Sequence, residues 1–448
     1  MLTDRKIALI TFGIALLSIP ILAGAQPDTL KLSLDDARKM AIEQNTNVRN
    51  SAIDLEIAKK KVWETLAIGL PHIDGKAAYQ FIPKVPVLPA NTFDPNADPD
   101  ATIELGVKQN ITYDVTVSQL IFNGAYIVGV QATKVYYQLS ENNHEKTVTD
   151  VNEAVVNNYY VILVAEESHK ILKQNLENVN KTLYEIKEQY KQGFVENTDV
   201  DQLELTANTL QNAISQVENN LELSYRLMKI LLGIVIGQPI ALTNSLETDT
   251  QIVTSASQLV NEVFDIDQNV DFRIVNTAES IAKLDYKREK SNSLPVISAF
   301  YMYQDKWKKP FLDFTSKDLI GINLALPIFS SGQRSALVSQ KRMALEKATN
   351  TRFYTANNLL MAAEQLRSDL KLKSEKYQIQ KKSKDLADVI YNRTLEKYRE
   401  GVASSLDLMN SQNQYLTNLT NYYQSIYDLA TAKTKLEKHF NINQNIEK

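Results

Sequence analysis

The chain has 448 residues, a formal net charge of −4 and no cysteine. It therefore holds no disulfide framework, thiolate metal site, cysteine nucleophile or N-terminal cysteine for lipid attachment, and its near-neutral balance offers no electrostatic case for nucleic acid. Thirteen glycines and twelve prolines, each roughly 3% of the chain, fall well under the ~7% and ~5% of average proteins, which excludes collagen-like and low-complexity chains and points to long uninterrupted elements.

The N-terminus reads as an address. Arg5 and Lys6 form a small basic region, Ile7 to Ile21 is apolar, and Ala23-Gly24-Ala25 is a small-residue cleavage site. About 15 apolar residues are too few for the ~20 of a spanning helix, so residues 1–25 are expected to be a signal peptide cleaved near Ala25. Its loss removes two basic residues and one acidic one, taking the charge from −4 to −5. No later stretch is long and apolar enough for a helical span.

The mature chain uses one unit twice. Leu70-Pro71 recurs as Leu294-Pro295, and VSQLIFNG ending at Gly124 recurs as NLALPIFSSG ending at Gly332. Tyr190-x-x-Gly193 with Asp199 recurs as Tyr398-x-x-Gly401 with Asp407. Such periodicity divides the chain into a first repeat over 26–240, a linker or equatorial segment over 241–257 and a second repeat over 258–448. Each repeat carries a helix, two strands and a long helical hairpin. The first repeat is longer by Pro83 to Asp100, a proline-rich stretch that reads as a loop.

In each unit the two strands precede the helical hairpin. From Leu105 to Val117 the odd positions are apolar but for Gln109 and the even ones include Lys108, Thr112, Asp114 and Thr116; Ile73 to Phe81 follows the same parity. Val296 to Gln304 and Leu319 to Phe329 form the second pair, less clean in alternation. Two-faced segments of about ten residues fit membrane β-barrel strands, and equally a half-buried soluble sheet. Four strands cannot close a barrel, and open edges are not tolerated in lipid; a membrane barrel would have to be shared among chains. Phe81, Phe93, Phe300, Tyr301, Tyr303, Trp307, Phe311 and Phe314 flank the strand ends, where an aromatic girdle or hairpin packing would use them. Trp63, in the preceding helix, is expected to pack.

Beyond the strands the period changes. Leu172, Leu176, Val179, Leu183, Ile186 and Tyr190 step by three and four, as do Val200, Leu203, Ala207, Leu210, Ile214, Val217 and Leu221. This is the 3.5-residue repeat of a coiled coil. Gly193 and Gly401 are expected as helix C-caps, and Thr198 and Ser404 or Ser405 as N-caps.

In order and in duplicate, these pieces resemble the TolC-type outer-membrane efflux protein family. The resemblance rests on LSLDDARKMAIEQNTNVRN from Leu32, GLPHIDG from Gly69, QLIFNG from Gln119 and LPIFSSGQR from Leu326. At the hairpin tips it rests on QYKQGFVENTDVDQLE from Gln189 and KYREGVASSLDLMNSQNQY from Lys397. It implies an α+β, mainly α fold in which a homotrimer shares a 12-stranded barrel continued by a coiled-coil α-helical barrel. It also implies an exit duct for efflux or type I secretion, with outer-membrane lipid, a periplasmic adaptor and an inner-membrane transporter as partners. No cofactor, metal or catalytic residue is implied.

Residue by residue, Asp407 and Asn410 match the family's aperture positions. Thr198, Asp199 and Tyr398 match the tip turn and its gate contacts, with Tyr398 hydrogen bonding toward that turn. Gly193, Phe194, Gly401 and Val402 match the turns that meet the adaptor. Ala403 departs from the family, replacing a basic residue of some members, so any ionic latch through that side chain is missing. Asp199 and Asp407 also suit a helix start, where a carboxylate gains from the macrodipole. Among the four histidines none has ligand spacing to another, and no nucleophile elbow, zincin, P-loop or dinucleotide motif occurs. The rival readings are a soluble periplasmic coiled-coil adaptor or structural protein, and a secreted enzyme on a helical scaffold.

Overall fold

The computed structural model describes residues 29–442, apart from 94, 97, 99, 247–249 and 311–312. The signal-peptide and cleavage assignments, and Phe311 of the aromatic set, lie outside the described residues.

Strand β1 (Leu30–Leu32) leads into α1 (Leu34–Gln44) and α2 (Thr46–Ala67). Ser33 starts α1 by accepting from Asp36 N at 3.2 Å, and the Asp36 carboxylate accepts from Ser33 N in return, a capping box that satisfies two end donors. Strand β2 (His72–Phe81) follows, then a small hairpin of β3 (Val87–Pro89) and β4 (Thr102–Glu104), then β5 (Gln109–Asn123). The proline-rich stretch expected as a loop thus holds β3, and β5 starts four residues after the expected Leu105.

Two long helices complete the repeat, α3 (Gly124–Lys191) and α4 (Asn197–Leu231). At 1.5 Å per residue, α3 with its 68 residues is about 100 Å long. The segment between repeats contains β6 (Ile240–Leu242), parallel to β1, and α5 (Thr250–Leu259). The second repeat is α6 (Val270–Ser291), β7 (Val296–Lys306), β8 (Asp318–Ala325), α7 (Gln333–Arg399) and α8 (Ser405–Phe440). This is a mainly helical fold with one four-stranded sheet at its end.

That sheet runs β2-β5-β7-β8, antiparallel throughout, with β2 and β8 as its edges. Strand β8 stops at Ala325, short of the expected Phe329, because Ala325 pairs with Val296, the first residue of β7. Past it the chain offers no further partner on that side. A bulge between Leu120 and Phe122 shifts the parity of β5 at its foot.

Below the sheet, α2 packs on α3, α3 on α6 and α6 on α7. Farther down the two hairpins α3–α4 and α7–α8 take over. Where these regions meet lies the main core, with Leu32, Ala37, Val155, Tyr159, Met228, Leu232, Leu370, Leu429 and Leu436 essentially inaccessible. The Tyr159 hydroxyl lies 3.1 Å from Leu32 O and 2.9 Å from Asn244 Oδ1, and burial pushes its pKa up to about 12. Buried Asn45 caps α2 and donates from Nδ2 to Leu231 O at 2.8 Å. Buried Asn269 caps α6 and donates to His439 O at 2.9 Å. The two repeats are joined to their own hairpins by the same bond.

Candidate functional site

Among the surfaces that the chain's own packing leaves open are one face of the sheet and the ends of the hairpins.

Directly opposed residues of an antiparallel ladder share a face. The pairs Ala77↔Tyr113↔Asp305, Gly75↔Val115↔Tyr303↔Asp318 and Ile73↔Val117↔Tyr301↔Ile320 therefore build one face across all four strands. With Ile322, Leu324, Tyr79 and Ile111 it is apolar over most of its height, and it is exposed: Ile320 is 81% and Ile322 75% accessible. The opposite face carries Asp74, Lys76, Thr112, Asp114, Thr116, Gln304 and Asn323. An apolar face of this size left open in a four-stranded sheet fits a lipid-facing surface. Among the described residues no helix is long and apolar enough to cross a membrane.

Of the aromatic set, Phe81, Phe93, Trp307 and Phe314 are exposed beside the strand ends. Trp307 N, one residue past the end of β7, donates to Ile111 O at 2.9 Å. Tyr301 and Tyr303 share the apolar face, and the Tyr301 hydroxyl donates to Asp318 Oδ1 at 2.6 Å. Phe300 departs from the set, lying on the polar face opposite Gly321. Trp63 is 62% accessible rather than packed within the chain, whereas its neighbour Val62 is half-buried.

At the far end the heptads close as expected. Val179, Ile186, Val200, Leu203 and Leu210 form the buried seam of the first hairpin, with Leu172, Leu176, Leu183 and Ala207 against it. Tyr190, the last member of the stripe, is instead exposed. In the second hairpin Tyr391 and Tyr415 stack at 5.5 Å.

Both tips turn through the same device. Gly193 and Gly401 have φ of +77° and +75°, a region that costs other residues roughly 1–2 kcal/mol. Gly193 N donates to Tyr190 O and Phe194 N to Gln189 O; Gly401 N donates to Tyr398 O and Val402 N to Lys397 O. These paired bonds are Schellman motifs, which satisfy the last carbonyls of each helix. The residue after the glycine usually packs back on its helix. Here it does not: Phe194 is 80% and Val402 73% accessible.

The returning helices start at equivalent positions, three residues after each glycine, but with different cap residues. Ser404 caps α8 as expected, accepting from Asp407 N at 3.1 Å while Asp407 Oδ2 accepts from Ser404 N and Oγ at 3.0 and 2.7 Å. Those bonds hold the Asp407 carboxyl below the usual carboxylate range. Thr198 does not cap α4. Glu196 takes that position, the same three residues after Gly193 as Ser404 is after Gly401, and Thr198 sits inside the first turn. Asp199 Oδ2 accepts from Glu196 N at 3.3 Å, and its other oxygen accepts from the Ser405 hydroxyl of the second hairpin.

Tyr398 crosses to the first hairpin, packing against its buried seam. Burial and the nearby Asp199 carboxylate push its pKa up to about 12. Its hydroxyl finds no hydrogen-bond partner among the described residues, so the bond implied for Tyr398 toward the tip turn is made by Ser405 instead. Asn410 lies one turn beyond Asp407 on α8. No group of acids and histidines able to hold a metal ion occurs among the described residues.

The profile of the outer membrane efflux protein family matches residues 37–233 and 269–441. No curated protein sequence matches. Among solved structures, CusC, studied for folding and transmembrane channel formation, superimposes with a TM-score of 0.74 at 13% identity, covering 94% of this chain and 95% of its own. The outer membrane protein VceC of Vibrio cholerae gives 0.71 at 15% identity, covering 91% and 95%. The CmeC outer membrane channel of Campylobacter jejuni gives 0.72 at 18% identity, covering 91% and 85%. At these identities the structures speak for the fold.

Proposed function

The chain belongs to the outer membrane efflux protein family, and from that premise we propose that three copies form a passive channel-tunnel, the exit duct of a tripartite efflux or type I secretion system. The observation that carries this reading is the unclosed sheet, apolar and exposed on one face, set above helices about 100 Å long. Four strands per chain and three chains give a 12-stranded barrel, which removes the edges that lipid does not tolerate. The α-helices continue it as a helical barrel into the periplasm.

The hairpin tips then converge around the axis at the closed end. One Asp407 from each copy would ring the aperture, with Asn410 one turn farther in, repelling anions and admitting cations. Thr198, Asp199 and Tyr398 would govern how the tips part. Gly193 with Phe194 and Gly401 with Val402 present exposed apolar residues on rigid turns, the form of anchor that a periplasmic adaptor would bury. The transporter behind the adaptor supplies the energy; this chain has a conducting role and no catalytic one.

A soluble periplasmic adaptor would share the coiled coil. It would not leave Ile320, Ile322 and Tyr79 open on a sheet with two unpaired edges.

Single-channel recording from detergent-extracted protein in planar bilayers tests the proposal. Discrete cation-preferring openings are expected, and Asp407→Ala should weaken the preference or widen the pore. Pores indifferent to Asp407→Ala would leave that residue only its capping role. A protein that stays soluble without detergent and never inserts would overturn the channel.

A further inference from the structure

Where the two repeats meet, charged side chains are paired across the helices. Lys438 lies against Asp150 and Glu153, Lys373 and Lys376 against Asp428, and Arg273 against Glu145. Arg38, on α1, is used only in part. Its Nε donates to Asn152 Oδ1 at 2.7 Å. Its Nη1 stands 3.8 Å from Asp35, a carboxylate 81% exposed and therefore screened by water. Its Nη2 is buried and has no hydrogen-bond partner among the described residues. Buried donors are paired in nearly every case, so a guanidinium nitrogen left this way marks a place where an acceptor belongs.

The Arg38 side chain lines a cavity of about 110 Å³ between α1, α3 and α8. Val156, Tyr160 and Ala430, all buried, form its apolar side. Facing them with Arg38 are Lys433 and Glu437 of α8, whose Nζ and Oε1 are 3.2 Å apart. Two positive charges against one negative leave the cavity with one positive charge in excess. The duplication does not impose this: the spacing that carries Asn45 onto Asn269 carries Arg38 onto Glu262, of opposite sign.

We propose that this cavity is a binding site for a monocarboxylate, one oxygen accepting from Arg38 Nη2 and the other from Lys433 Nζ. A single negative charge balances the excess, and charge-assisted bonds of this kind are about twice as strong as neutral ones. A water would satisfy the donor and leave the charge. A phosphate dianion would bring one charge too many beside Glu437. At about 30 Å³ for a water-sized group, the cavity has room for three or four non-hydrogen atoms, the size of acetate. The Arg38 and Lys433 side chains keep 14% and 23% of their accessibility, so the stem of a longer acid can leave between them.

The carboxylate would do more than fill space. Arg38 belongs to the first repeat and Lys433 to the second, and the residues around them, Ala37, Val156 and Ala430, belong to the main core. A bound carboxylate therefore ties α1 to α8 across the junction of the repeats, and a ligand that binds only the folded chain stabilises it in proportion to its occupancy. The chemistry fits two sources, a small free acid and the terminal carboxylate of a peptide. The site lies within one chain, so it stands apart from the channel reading.

Thermal unfolding of the detergent-extracted full chain in sodium acetate, against sodium chloride at equal ionic strength, tests the site. A saturable rise in melting temperature is expected with acetate, and little with inorganic phosphate. Arg38→Gln should raise the half-saturating acetate concentration roughly tenfold or more, the cost of one charge-assisted hydrogen bond, and Lys433→Gln should raise it as well. Saturation-transfer NMR of the acetate methyl group on the natural chain reads binding directly, should either variant fail to fold. N-acetylglycylglycine separates the sources: binding as tight as that of acetate assigns the site to a peptide carboxylate, and no binding assigns it to a small free acid. No saturable acetate effect and no transferred saturation in the natural chain would overturn the proposal. So would full retention of both in Arg38→Gln, or phosphate binding as tightly as acetate.

Discussion

The Ser405 hydroxyl of the second hairpin donates to the Asp199 carboxylate of the first, tying together two turns 206 residues apart in sequence. Asp199 meanwhile accepts from Glu196 N, so one carboxylate both starts α4 and holds α8 to it. Beside this tie the Tyr398 hydroxyl is buried without a hydrogen-bond partner among the described residues. A hydrogen bond to a charged group is worth roughly 1.5–3 kcal/mol, and an ionic latch through residue 403 is missing because that residue is alanine.

Ser405→Ala should therefore loosen the tip, raising open probability in bilayer recordings about tenfold or more for a loss near 1.4 kcal/mol or above. Tyr398→Phe should leave it unchanged or slightly tighter, since burying a phenyl removes an unpaired polar atom. A large increase in opening with Tyr398→Phe and none with Ser405→Ala would reverse the assignment.

Val115 lies on the apolar face and Thr112 on the polar one. Val115→Arg should reduce membrane-inserted protein, at a cost of roughly 2–4 kcal/mol if the site is near the bilayer midplane. Thr112→Arg should insert normally and change conductance. Heat-modifiable mobility of membrane fractions and bilayer recording provide the two readings.

Phe194 and Val402 stand out from turns whose glycines already hold the backbone. Phe194→Asp and Val402→Asp should leave the amount and melting temperature of the assembled protein unchanged, because neither side chain packs within the chain. Export of a cargo, and crosslinking to the periplasmic partner, should fall severalfold. Normal export by the double variant would remove the docking role from both turns.

His439 is half-buried, stacked 4.9 Å from the Phe264 ring, with Nε2 2.9 Å from Leu359 O. Burial lowers its pKa, opposed by the Leu359 carbonyl and by Asp271. A histidine with a depressed folded-state pKa binds its proton more readily when unfolded. Stability should thus be complete above about pH 6.5, the unfolded value, and decline as pH falls below it. His439→Gln should flatten that part of the profile when melting is compared at pH 7.5 and 5.5. An unchanged slope would assign the acid sensitivity to other groups.

Some of this architecture is written in local pattern. Alternation marked β2 and β5, and steps of three and four marked α3 and α4, because side-chain period follows from backbone geometry within a few residues. Gly193 and Gly401 were equally legible, and the start of α8 was narrowed to Ser404 or Ser405, since each works through bonds to residues two to five positions away. Thr198 was misread as a cap because Glu196, an uncommon residue in that position, precedes it. Trp63 was misplaced because period alone gives the angle of a side chain and not what stands opposite.

The sequence by itself thus determined a duplicated unit of strands and long helices, an apolar and a polar strand face, and the turns at the hairpin tips. Only the tertiary structure decided that β5 pairs with β7, that β8 ends at Ala325, that Asp199 is held by Ser405 and not Tyr398, and that Phe194 and Val402 remain uncovered. The physical reason is range. Elements follow from torsions and periods among neighbours, whereas register, partners and exposure depend on which distant surfaces exclude water together, and no short stretch of chain carries that information.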